Sequence, residues 1–279
     1  MPKTPIDRVQ FVCGFPRTGS TLLMNLLAQH PDHRVTATNG LCGLFAMTAE
    51  QWVRNDAFRA QGIEKVRPHI RSALQGMVTG FHAEALESVE STTQVFDKSR
   101  QWLHHIDLLQ EVLGEKRVIV CIRDVRDVVA SMEALYHKNP MTRGAMPDTT
   151  AGRVKNLLNA ENGIVGRSIV AFRDAIRRGF STVMVPVRYH ELVENPQQTL
   201  HNLHLNLGLE PWDGYDPMNV QQRTQEDDML LAGLQGLHDV QPQVEPGPRE
   251  RWRGLIPDDL ARVIDQQFSD IQSLMHGRA

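Results

Sequence analysis

The chain has 279 residues, is 41% hydrophobic and 23% charged, and carries a formal net charge of −3. That length suits one large α/β domain or two small ones with ample material for a core. The near-neutral balance excludes a global basic field of the kind that holds nucleic acid, so any anion site must be local.

No apolar run approaches a bilayer span, and the N-terminal MPKTPIDRVQ lacks the apolar core of a secretion signal. Cys13, Cys42 and Cys121 have no metal-ligand spacing. Cys13 and Cys121 fall in apolar strand-like runs, the setting of buried reduced thiols. A cytoplasmic protein with no membrane partner is expected.

Val9 to Cys13 is short, apolar and rich in β-formers, as a parallel strand buried on both faces requires. Leu22, Leu23, Leu26 and Leu27 then repeat at helical spacing until Pro31. Residues 36–43 read as a loop, and residues 44–88 as mostly helical. A strand is expected over Thr93 to Phe96, ahead of DKSR, and a helix over Trp102 to Leu113, closed by Gly114. Arg117 to Ile122, RVIVCI, is the clearest buried strand, and Asp124 can cap the helix after it. Residues 136–150 read as a surface loop, and a long helix is expected from Ala151 to Arg178. Thr182 to Val187 is a further strand, and Asn195-Pro196 starts another helix. Residues 211–256 are rich in proline and glycine and lack periodicity, so an irregular segment is expected. Pro257 opens a last helix reaching Leu274. Strands alternating with helices predict one three-layer α/β/α domain over residues 1–279 with a mainly parallel sheet.

GFPRTGSTLL, residues 14–23, joins the first strand to the first helix. Gly14 and Gly19 have the spacing of a P-loop, which wraps a phosphate in backbone N–H groups. The lysine that would reach the terminal phosphates of a nucleoside triphosphate is replaced by Ser20. Thr21 keeps the hydroxyl, and Arg17 adds a planar five-donor fork suited to oxyanions. Such a loop suits a single 5′ phosphate bearing another charged group, neutralised by side chains rather than a metal. Arg17, Lys98, Arg123 and Tyr189 all follow or end predicted strands, where ligands bind in open parallel sheets. Ser131, eight residues after Arg123, shares that site only if the chain folds back at the helix start.

The chain resembles sulfotransferases that use 3′-phosphoadenosine 5′-phosphosulfate (PAPS) and release adenosine 3′,5′-bisphosphate (PAP). GFPRTGSTLL is similar to the family's 5′-phosphosulfate loop. RDVRDVVAS is similar to its 3′-phosphate motif, with Val125 in place of the usual proline. DKSR resembles a D-K-[ST]-P segment, with Arg100 where proline is common. VRYHELVENPQQTLHNLHLNLGLE and, more weakly, GPRERWRGLIP resemble the adenine-side strand and helix and the late basic loop. The resemblance implies a P-loop-like fold and PAPS as co-substrate with no metal required. It implies that Thr18, Gly19, Ser20, Thr21 and Leu22 hold the 5′ phosphate and that Arg17 touches the sulfuryl group or the acceptor. Lys98 would stabilise the leaving oxygen, and Arg123 with Ser131 would bind the 3′ phosphate. Tyr189 would lie near adenine or pack in the core. One of Arg249, Arg251 and Arg253 would meet the 3′ phosphate, and Trp252 would stack on adenine or anchor the core. The acceptor would be a small molecule or glycan.

The general base does not transfer from the resemblance, because Arg100 stands at one of the family's places and TATNGL offers no carboxylate at the other. His238 in the irregular segment, His104 or His105 on the helix after Lys98, and Glu50 or Asp97 are the candidates. A P-loop kinase with a degenerate loop and a non-catalytic nucleotide-binding protein are the competing readings.

Overall fold

The computed structural model describes residues 4–87, 92–247 and 250–275. In chain order the elements are β1 (Val9–Gly14), α1 (Ser20–Leu27), β2 (His33–Thr38), α2 (Leu41–Arg54), α3 (Asp56–Gln61), α4 (Ile63–Phe81) and α5 (Ala83–Glu87). Then come β3 (Gln94–Lys98), α6 (Ile106–Leu113), β4 (Val118–Ile122), α7 (Val125–Lys138), α8 (Pro140–Gly144), α9 (Thr150–Leu158) and α10 (Ile164–Arg177). The chain continues with β5 (Met184–Arg188), α11 (Tyr189–Glu194), α12 (Pro196–Leu207), α13 (Asp228–Ala232), α14 (Asp258–Gln267) and α15 (Ser269–Met275).

The five strands form one parallel sheet in the order β2-β3-β1-β4-β5. Alternation along each strand divides the core in two. Phe11 and Cys13 of β1 and Val118, Val120 and Ile122 of β4 point to one face, where they pack with Phe45, Trp102, Val128 and Phe172. Val12, Ile119 and Cys121 point to the other and meet Leu23, Leu26 and Leu27 of α1 and Leu192 and Leu200 of α11 and α12. The result is the expected three-layer α/β/α arrangement. The chain runs β1 to β2 to β3 on one side, then crosses β1 to reach β4 and β5. The crevice beyond the carboxyl end of β1, between β3 and β4, is therefore the switch point at which such sheets bind ligands.

Several expectations need correction. Residues 33–38 form β2, so the first part of the loop expected over residues 36–43 is strand. HRVTAT sits at the sheet edge with mostly half-buried residues, so no apolar run marks it. The expected helix over 151–178 is two helices. Asn159 turns the chain, its Oδ1 accepting from the amides of Glu161 (2.9 Å) and Asn162 (2.8 Å). Residues 136–150 hold the end of α7 and all of α8, and the last helix divides at Phe268. The described residues of 211–256 are irregular apart from α13, as their composition predicts.

Candidate active site

The loop after β1 is shaped by two close approaches. A Cβ on Gly14 would lie 2.3 Å from the Cys121 carbonyl oxygen, so only glycine lets β1 end against β4. Gly19 has φ +84°, and a Cβ there would lie 2.6 Å from the Tyr189 ring. Between them Arg17 adopts φ 61°, a left-handed conformation uncommon outside glycine. The loop delivers the chain into α1, whose first-turn amides have no intrahelical acceptor and face the cavity with the positive end of the dipole.

A cavity of about 730 Å³ opens at this edge. Gly19, Ser20, Thr21, Leu22, Lys98, Arg123, Ser131 and Tyr189 all line it, as does Arg17. Residues read from four separate motifs thus meet at one place.

Lys98 ends β3 with 4% of its surface exposed. Its Nζ donates to Thr21 Oγ1 (3.2 Å) and to Glu226 Oε1 (2.9 Å). Burial pushes the ammonium below the ordinary lysine range, against the pull of Glu226. Burial raises the Glu226 carboxyl, but the hydrogen bond and charge of Lys98 outweigh it and hold the group below the usual range. The same oxygen accepts from the Thr38 amide at 2.9 Å.

Arg123 follows β4 and is also buried. Its Nη1 donates to the Arg17 carbonyl (3.1 Å), its Nη2 lies 3.9 Å from Asp127 Oδ2, and its guanidinium lies 4.2 Å from the Tyr189 ring centre. Its Nε is buried without a hydrogen-bond partner. An orphaned buried donor beside a cavity suits an anionic ligand. Ser131 reaches the same cavity from the second turn of α7 and accepts from Arg17 Nε at 3.0 Å. Arg17 Nη1 donates to the Leu237 carbonyl. In this structure Arg17 is thus a latch between α7 and the segment after α13, rather than a free side chain. Burial and the charge of Arg123 both push its guanidinium down.

The remaining expected residues separate clearly. Thr18 is buried, its Oγ1 donating to the Phe15 carbonyl at 2.8 Å, so its hydroxyl holds the loop's own backbone. Arg251 lines the cavity, 6.0 Å from the Tyr189 ring centre. Arg253 instead pairs with Glu250 at 2.8 Å on the surface. Trp252 is a core anchor with 4% exposure, its amide donating to Asp127 Oδ1 at 3.0 Å. Arg249 lies outside the described residues.

Of the candidate bases, His238 lines the cavity. Its Nδ1 lies 2.5 Å from Asp228 Oδ1 and 3.3 Å from Glu226 Oε2, and its amide donates to Asp228 Oδ2 at 3.0 Å. Burial and the charge of Lys98 hold its pKa below the ordinary imidazole range, while both carboxylates oppose that shift. His104, His105 and Glu50 line a different cavity. Asp97 is fully buried: Oδ1 accepts from Trp102 Nε1 (2.6 Å), and Oδ2 accepts from Asn39 Nδ2 (2.9 Å) and lies 3.0 Å from His82 Nε2. That carboxylate is a structural anchor. Glu226 and Asp228 were not singled out from the sequence. Their signal was present in EDDML, where Asp227 caps α13 by accepting from the Leu230 amide at 2.9 Å.

The fold and its edge define a transferase of the sulfotransferase family. The chain belongs to that family: residues 10–214 match its sequence profile. It is 24% identical to the nodulation protein NoeE of Sinorhizobium fredii over 304 residues, which covers 99% of this chain and 69% of that protein. Among solved structures it is similar to the sulfotransferase domain from the curacin biosynthetic pathway, with a TM-score of 0.57 and 16% identity over 94% of this chain and 96% of that one. Mouse sulfotransferase SULT7A1 complexed with PAP gives a TM-score of 0.54 and 12% identity over 96% of this chain and 84% of that one. At such identities the likeness concerns the fold. Among the described residues no helix is long and apolar enough to cross a membrane.

Proposed function

We propose that this protein transfers the sulfuryl group of PAPS to a hydroxyl or amine of a small-molecule or glycan acceptor. The observation that carries the reading is the meeting of Lys98, Arg123, Ser131 and the first turn of α1 in one cavity at the carboxyl edge of the sheet. The α1 amides with the Ser20 and Thr21 hydroxyls would hold the 5′ phosphate. Arg123, with its unpartnered Nε, and Ser131 would hold the 3′ phosphate. PAPS supplies an activated sulfuryl group whose S–O bond to the 5′ phosphate breaks as the acceptor attacks sulfur.

The chain's own residues serve that exchange in three ways. Lys98, fixed by Thr21, presents a buried ammonium where negative charge grows on the leaving oxygen. His238 accepts the acceptor's proton at Nε2, because its Nδ1–H is directed at Asp228. Asp228 is a positioning residue: it selects the tautomer and steadies the imidazolium that forms. Glu226 holds Lys98 through Oε1, and its Oε2 lies 3.3 Å from His238 Nδ1.

Thermal stabilisation tests the reading. PAP at a hundred times its dissociation constant is expected to add about 2.7 kcal/mol without magnesium, and ATP little. A response to Mg-ATP alone would instead favour a kinase. Binding of PAP without turnover of PAPS by any acceptor would favour a non-catalytic protein.

A further inference from the structure

A second cavity, of about 1030 Å³, lies between α2, α10 and the turn that follows β3. Arg100 lines both this cavity and the one holding Lys98, so the two adjoin at that side chain. The far side carries Arg167 of α10. Neither guanidinium makes a hydrogen bond or an ion pair with the described residues. The one carboxylate in the lining, Glu50, is committed to Arg54 at 2.6 Å, and the carboxylate that acts on Arg100 from outside it, Glu226, is paired with Lys98. The effect on neighbours is visible. Burial holds the Arg100 guanidinium below its ordinary value with only the charge of Glu226 opposing, and burial and Arg167 push the His104 imidazole down. A half-buried guanidinium with no hydrogen-bonded counter-ion is costly to the fold and is stabilised by a bound oxyanion.

The rest of the wall mixes Gln101, His104, His105 and Ser168 with an apolar group. Met47 is 64% exposed and Val53 56% exposed, and Leu108 and Ile164 complete the surface. Apolar side chains grouped at a groove of this kind mark a ligand or interaction surface, and here they flank two cations. Building on the sulfotransferase reading above, we infer that this cavity selects the acceptor: an amphiphile whose anionic oxyacid group lies between Arg100 and Arg167 and whose apolar body rests on Met47, Val53, Leu108 and Ile164. Arg100, at the junction, places the acceptor beside the neighbouring cavity, where Lys98 and His238 stand.

The test uses the full chain saturated with PAP and three probes of one length: 10-hydroxydecanoate, 10-hydroxydecyl phosphate and neutral 1,10-decanediol. Calorimetry is expected to show at least one anionic probe binding tenfold or more tighter than the diol, the stronger anion identifying carboxylate or phosphate as the group read. Arg167→Ala, an exposed change outside the PAP cavity, is expected to erase that preference and leave PAP affinity within twofold. Arg167→Lys should restore part of it, which a merely structural role would not. Equal binding of all three probes, binding of none, or a preference unchanged in Arg167→Ala overturns the inference while PAP still binds. Failure of PAP itself to bind overturns the underlying reading instead.

Discussion

The site is built from two regions held by different means. The sheet-edge half comprises the α1 N-terminus, Lys98, Arg123 and Tyr189. It rests on four parallel strands whose ladder fixes where each ends. The other half is the segment of residues 211–256, which carries Glu226, Asp228 and His238 and, among its described residues, one short helix. Amide side chains of the scaffold pin it. Asn25 Oδ1 accepts from the amides of Arg223 and Thr224, the latter at 3.2 Å, and Asn25 Nδ2 donates to Thr224 Oγ1 at 3.2 Å. Gln29 Oε1 accepts from the Asp216 amide (2.6 Å), and Asn139 Oδ1 accepts from the Gln235 amide (2.8 Å). Arg17 adds its bond to the Leu237 carbonyl. On the proposed reading the two halves divide the work: the ladder would place charge for the nucleotide, and the pinned segment would bring the proton acceptor.

Lys98→Ala should have the largest effect. Turnover is expected to fall about 10²–10³-fold, the loss typical of one preorganised donor, while PAP affinity changes little. Because the change strands Glu226, Lys98→Ala/Glu226→Gln provides the control for folding. Full activity in either variant would remove Lys98 from the reaction.

Asp228→Asn tests the pinned half. General-base catalysis contributes ~10²–10⁴-fold, and losing its orientation should cost about tenfold to a hundredfold in kcat. The pH profile adds a sign. His238 must be neutral to accept a proton, so activity falls as pH drops through its pKa, which lies below the ordinary imidazole value. Asp228 raises that pKa, so Asp228→Asn should move the acid limb to still lower pH. An unmoved limb would assign the base elsewhere.

A smaller effect is expected of Asn25→Ala. Buried amides losing an acceptor cost about 1–3 kcal/mol, read as a lower melting temperature, with kcat reduced more than PAP affinity. If kcat and PAP affinity fell together, the two regions would not divide the work as described.

The same contrast explains what the sequence disclosed. Strand β4 is an unbroken apolar run and β1 is interrupted only by Gln10, both are buried on both faces, and the glycines of GFPRTGS mark a backbone that only glycine permits. Pattern and local sterics therefore located the sheet edge and the cations at it. Strand β2 escaped because an edge strand needs no apolar run. Glu226 and Asp228 escaped because their place depends on Asn25, Asn139 and Arg17, residues distant in sequence that recognise backbone rather than side-chain pattern. Arg253 and Trp252 lie beside Arg251 in sequence, yet only Arg251 reaches the cavity, a choice made by the turn geometry after residue 250.

The central claim is that the sheet edge reads a nucleotide phosphorylated at both the 3′ and 5′ positions. Titration calorimetry without magnesium, comparing PAP with adenosine 5′-monophosphate on the unaltered protein and on Arg123→Ala, tests it most directly. The unaltered protein should prefer PAP, and the variant should lose about 1.5–3 kcal/mol of PAP binding, the worth of a charge-assisted hydrogen bond, with the monophosphate unchanged. Equal losses for the two ligands, or no preference in the unaltered protein, would contradict it.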